Sequence, residues 1–216
     1  MTAALTATPI AAPKARKRWR GWWLRQLHSW HWISAAVSLV GTLLFAITGI
    51  TLNHAPSIPA TPVVVERAGE LSPSLRRLLV SGAGDRPLPA AVATAVEQAT
   101  GLDADGKAAE WSDAEVYVAL PRPGGDAWVN IDRTSGRITS ELTTRGWVSY
   151  LNDLHKGRNT GAAWFWFIDV FAGACILFTL TGLLLLQMHA RHRPSTWPLV
   201  GAGLAVPVVI ALALIH

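Results

Sequence analysis

The chain has 216 residues and a formal net charge of +5, but only 15% of its residues are charged and 50% are hydrophobic. A soluble domain carries about 25% charged residues, so an ordinary soluble enzyme is not expected. The basic excess lies beside apolar stretches, so nucleic acid is not expected as a partner either.

Residues 1–24 read as a basic cytoplasmic tail, disordered over 1–18, where Ala, Thr and Pro precede a run of Lys and Arg. No Asp, Glu, Lys or Arg occurs from Gln26 to Val65, and Ile33 to Asn53 is apolar for about the 20 residues that a membrane helix needs. Residues 25–54 are therefore the first span. This run is longer than the apolar core of a signal peptide, and Pro9 and Pro13 spoil an amphipathic transit helix, so a retained anchor is expected. Pro56, Pro59 and Pro62 then end the helix and lead into an external domain at 55–146.

In that domain Ala91, Val92, Ala95, Val96 and Ala99 recur at helical spacing, which predicts a helix over Pro89–Thr100 with Gly101 as its C-cap. Ala114, Val116, Val118 and Leu120 alternate with Glu115 and Tyr117, and Val129 and Ile131 with Trp128, Asn130 and Asp132, as strands do. A turn at Asp132–Arg137 places Gly136 where positive φ is needed, and Ile138 resumes the strand. The domain is α+β.

Residues 147–161 form an interfacial segment, with a short helix over Trp147–Leu154 on the outer membrane surface. The second span covers 162–190 and the third 196–216. The fold class is thus membrane α-helical, three transmembrane helices with a small α+β domain between helices 1 and 2. Lys14, Arg16, Lys17, Arg18, Arg20 and Arg25 before the first span, with Arg191 and Arg193 between the second and third, predict a cytoplasmic N-terminus and a periplasmic C-terminus. The single cysteine, Cys175, falls within the second span, so the external domain has no disulfide.

LHSWHWISAAVSLVGTLLFAITGITLNHA (Leu27–Ala55), LNDLHKGRNTGAAWFWFIDVFA (Leu151–Ala172) and RPSTWPLVG (Arg193–Gly201) resemble the PepSY-associated transmembrane helix family of bacterial inner-membrane proteins. The D-x-x-S-G turn of the external domain resembles that of a PepSY-type domain. Larger relatives include siderophore-iron reductases that bind haem between their helices. The resemblance therefore implies an inner-membrane location and an oxidoreductase of ferric or siderophore-iron reductase type, or its electron-transfer subunit. The chain is shorter than those relatives.

Six of the seven histidines form two groups at span ends, and the seventh, His216, ends the third span. The 23 steps from His31 to His54 cover about 35 Å of helix, slightly more than the hydrocarbon thickness. His28, His31, His189 and His192 fall at the inner face; His54, His155 and His216 fall at the outer one. Neutral imidazole is a common haem ligand. His31, Ser34, Ser38 and Gly41 form one stripe, and Cys175, Thr179, Gly182, Leu186 and His189 another, mostly small, between which a flat macrocycle could lie. Small residues equally let two bare helices pack closely.

The expected cofactor is haem b, one or two, with iron held through His54, His155, His189 and one of His28 or His31. His192 and His216 are expected to matter less. Asp169, inside the second span, is expected to make a structural polar contact to Lys156, Arg158 or Asn53, and Asp153 either to orient His155 or to face solvent. No phosphate-binding loop, dinucleotide fingerprint, CxxC or CxxCH occurs. Expected partners are membrane lipid and a periplasmic redox protein or iron chelate, with a homo-oligomer admitted. The competing reading is a non-redox membrane adaptor whose external domain binds a protein or peptide.

Overall fold

The computed structural model describes residues 14–80 and 84–215, excluding the side chains of 14–18 and 192. His216, one of the outer-face histidines, lies outside the described residues. Two compact units are present, Met1–Thr42 with Asp169–His216, and Leu43–Ile168.

Three helices are long and apolar enough to cross a membrane: α1 (Lys14–Asn53), α5 (Gly161–His189) and α6 (Thr196–Leu214). The protein is a multi-pass membrane protein. Helix α1 starts directly after Pro13, inside the stretch expected to be disordered. Lys, Ala, Arg and Trp all continue a helix, and no proline interrupts the run, so the basic segment is an extension of the span. In α6, Pro207 is tolerated within a helix otherwise composed of apolar and small residues.

Between α1 and α5 the chain forms β1 (Val63–Glu70), α2 (Pro73–Arg76), β2 (Gly84–Pro87), α3 (Ala90–Thr100), β3 (Ala108–Trp111), β4 (Glu115–Ala119), β5 (Gly125–Asp132), β6 (Arg137–Thr144) and α4 (Gly146–Lys156). The strands make one antiparallel sheet in the order β1-β6-β5-β4-β3-β2. Val116 and Val118 on β4, Val129 and Ile131 on β5, and Ile138 on β6 are fully buried with Val92 and Val96 of α3. Each such side chain contributes roughly 1.5–3 kcal/mol. Gly101 caps α3 with φ +72 and its N–H donates to the Glu97 carbonyl at 2.7 Å.

The strands β1, β2 and β3 lie outside the strands read from periodicity. Their residues explain why. All but one residue of β1 are exposed, so it carries no alternation. Strand β2 has four residues, Gly-Asp-Arg-Pro, a composition that only a sheet edge accepts. Where β1 meets α3 the approach is close enough that a Cβ on Gly69 would lie 2.6 Å from Ala99 Cβ.

The β5–β6 turn matches its expected form. Gly136 has φ +82, and Asp132 Oδ1 accepts the N–H groups of Thr134 and Ser135 at 2.9 and 2.7 Å. These bonds hold the Asp132 carboxyl below its usual pKa, the Ser135 backbone N–H being the largest cause.

Helix α4 is inverted for a soluble protein: Asn152 and Asp153 are buried, while Trp147, Tyr150 and Leu151 are exposed. An outward aromatic face beside membrane helices suits the headgroup layer.

Candidate functional site: histidines of the membrane helices

In the first unit α1 and α5 meet along their small residues. Ser34 and Ser38 are buried, and their hydroxyls donate to the carbonyls of Trp30 and Ser34 at 2.7 Å each. Thr42 Oγ1 lies 3.5 Å from Cys175 Sγ. A Cβ on Gly41 would fall 2.4 Å from the Phe171 ring, so the α1 stripe is covered by side chains of α5 at this level. Direct helix packing fills the seam, as small residues allow.

His31 belongs to that seam. Its Nδ1 lies 3.2 Å from the Phe178 carbonyl and 3.0 Å from Thr181 Oγ1, its ring stacks on Phe178 at 4.8 Å, and its Cε1 is 3.3 Å from where a Gly182 Cβ would be. His28 and His189 are exposed, and each turns Nδ1 back to the carbonyl four residues earlier, Leu24 and Leu185, at 2.8 Å.

In the second unit half-buried His155 lies against α1. Its Nδ1 is 2.7 Å from Thr48 Oγ1, its ring is 5.0 Å from Phe45, and its Cε1 lies 3.5 Å from where a Gly49 Cβ would be. Thr51 Oγ1 donates to Asn152 Oδ1 at 2.9 Å on the same helix pair. His54 is exposed and turns Nδ1 to the Ile50 carbonyl at 3.0 Å. It lies about 140° around α1 from Gly49, so the face of α1 that receives His155 is not the face that carries His54.

One property is common to all five. A carbonyl only accepts, so Nδ1 of His28, His31, His54 and His189 donates. For His155 the assignment follows from Thr48, whose hydroxyl proton is directed to the Leu44 and Phe45 carbonyls at 2.9 and 3.1 Å, leaving its oxygen to accept. Every candidate ring therefore donates through Nδ1, with no hydrogen bond to Nε2 among the described residues. A metal-ligating imidazole is held the same way, one nitrogen tethered and the other bare.

Sequence reasoning missed Thr48, Thr181 and Phe178, which hold His155 and His31. Hydroxyls inside a span, with their i−4 carbonyls already engaged, were the available signal. Asp153 neither orients His155 nor faces solvent: it is 3% exposed, accepts the Gly124 N–H at 2.8 Å and pairs with Arg158 at 2.9 Å. That pairing takes up Arg158, one of the expected partners of Asp169, which is itself exposed on α5. Among the described residues no group of three or more His, Cys, Asp or Glu side chains converges as a metal centre. His192 lies in the turn after α5.

The sheet domain also carries a groove of about 990 Å³, bordered by Lys107, Leu120, Arg122, Gly124, Trp147 and Tyr150.

The family model described as "Putative PepSY_TM-like" matches residues 22–216. No curated protein and no solved structure matches the chain.

Proposed function

The chain belongs to the PepSY_TM-like family, and on that footing we propose that it is an inner-membrane b-type haem electron-transfer subunit. It delivers electrons to a periplasmic acceptor: ferric iron, an iron chelate or a flavin-bearing protein. The N-terminus and the Arg191–Arg193 turn are cytoplasmic in this reading, and the sheet domain is periplasmic.

The observation that carries the proposal is the shared hydrogen-bond geometry of the five histidines, each with Nδ1 tethered and Nε2 bare. This donor set fits haem iron. The filled seam at Gly41 and Phe171 does not offer a slot, so ligation falls to the helix ends rather than to the space between the small stripes. There His54 and His155 would each offer a ligand at one end, from different faces of α1, and His189 with exposed His28 in preference to packed His31 would do so at the other. Bound haem supplies a one-electron iron couple. The chain's own residues orient each imidazole: Thr48 positions His155, and the Ile50, Leu24 and Leu185 carbonyls position His54, His28 and His189. The test is the colour of the purified full chain from haem-replete cells, where a Soret band is the expected result.

A colourless sample selects the second reading, the non-redox adaptor. Its supporting observation is the domain groove, in which Arg122 and Lys107 stand beside exposed Trp147 and Tyr150.

A further inference from the structure

In the first unit a groove of about 690 Å³ runs along α1 and α5, lined by Leu24, Leu27, Trp30, Leu177, Leu184 and Met188 and headed by Arg20. Its wall is mostly aliphatic and aromatic, with Gln26, Thr181 and Gln187 as its uncharged polar members and Arg20 as its one charged residue.

Charge identifies the occupant. In the sequence Lys14, Arg16, Lys17, Arg18, Arg20, Arg25, Arg191 and Arg193 all flank the spans at this end, whereas no acid precedes Glu66 or follows Asp169. Asp169 lies two residues from Phe171, whose ring covers Gly41. Gly41 is 21 residues along α1 from Arg20, about 30 Å. No described residue forms a hydrogen bond or ion pair with Arg20 or Arg25. The chain thus concentrates cations at one membrane surface with no counter-charge of its own, directly above an apolar groove open to the bilayer.

We infer that this groove seats one anionic phospholipid, its acyl chain along Leu27, Leu184 and Leu177 and its phosphate at Arg20. Guanidinium pairs with phosphate as a planar fork, and exposed Trp22, Trp23 and Trp30 provide the ring-and-headgroup contacts typical of the interface. A zwitterionic lipid supplies the same chain and phosphate, but its ammonium adds a cation where the protein already has an excess. A net negative headgroup is therefore selected.

The test uses the full chain in mild detergent, delipidated and then offered phosphatidylglycerol and phosphatidylcholine with identical acyl chains, with retained lipid counted by native mass spectrometry. Wild-type protein is expected to hold one phosphatidylglycerol with at least about fivefold preference, the factor that one cation contributes at an anionic surface. Arg20→Gln should remove most of that preference while still binding lipid. Leu184→Trp, which fills the groove, should reduce retention of both lipids. Inorganic phosphate at millimolar concentration should not compete, since it lacks the chain. Helical circular dichroism of each variant identifies one that has failed to fold, and Leu177→Trp then replaces it. Equal retention of the two lipids by wild type overturns the inference. So does an unchanged preference in Arg20→Gln, displacement by phosphate, or a haem or a second copy of the chain in place of lipid.

Discussion

Asp153 Oδ2 accepts the backbone N–H of Gly124 at 2.8 Å, and this bond ties α4 to the loop that leads into β5. Gly124 has φ +73, and a Cβ there would lie 2.8 Å from the Tyr150 Cα. The loop backbone therefore rests directly on α4, and the buried carboxylate satisfies a donor that water does not reach. Asp153→Ala is predicted to destabilise the Leu43–Ile168 unit by about 2 kcal/mol, the value of a hydrogen bond to a charged group. Faster amide exchange at Gly124 is the readout; an unchanged rate would show that the bond contributes nothing.

The β5–β6 turn should make stability pH-dependent. The folded Asp132 carboxyl lies below its ordinary value, chiefly because of the Ser135 N–H, so the unfolded chain takes up this proton first as pH falls. The contribution is complete above the unfolded value near 3.9 and is lost as pH drops through the lower folded one. Melting temperatures of a 60–146 fragment should fall more steeply below about pH 4 for wild type than for Asp132→Asn. Parallel curves would remove Asp132 from the account.

That fragment contains all six strands and α3, so it is predicted to be soluble, monomeric and to melt cooperatively. Domains of this size bury only about 60% of their surface and are marginal. A random-coil circular dichroism spectrum would show that the sheet needs the membrane helices.

The spans were legible in the sequence because a bilayer imposes length and apolarity together, and α3 and β4 to β6 because each buries one face. The strands β1 and β2 were not, since edge strands in solvent have no reason to alternate. Histidine placement at span ends could be read from spacing. Which groups would meet them could not, because His155 depends on the rotation of α4 against Thr48 and Asn152 against Thr51, a tertiary matter. The small stripes on α1 and α5 fitted both a macrocycle and bare packing. The Phe171 ring over Gly41 is the detail that favours packing, and it is set by how the two helices meet.

Topology should follow the cations. A reporter fused after residue 120 is predicted to be active only outside the cytoplasm, and one fused at Arg193 only inside. The opposite pattern would contradict the proposed orientation, with the sheet domain periplasmic.

The histidines decide the central claim, and reduced-minus-oxidised spectra of purified full-length single variants measure it most directly. His54→Ala and His155→Ala should each alter one haem signal, His189→Ala and His28→Ala another, and His31→Ala should perturb the second less because its ring is already packed on Phe178. Haem held there would depend on these imidazoles and on packing, so losing one would weaken its retention, since the chain's single cysteine, Cys175, offers no CxxCH attachment. Wild-type protein without haem, or unchanged haem content and spectra in the His54, His155 and His189 variants alike, would contradict the account and leave the histidines as interface residues.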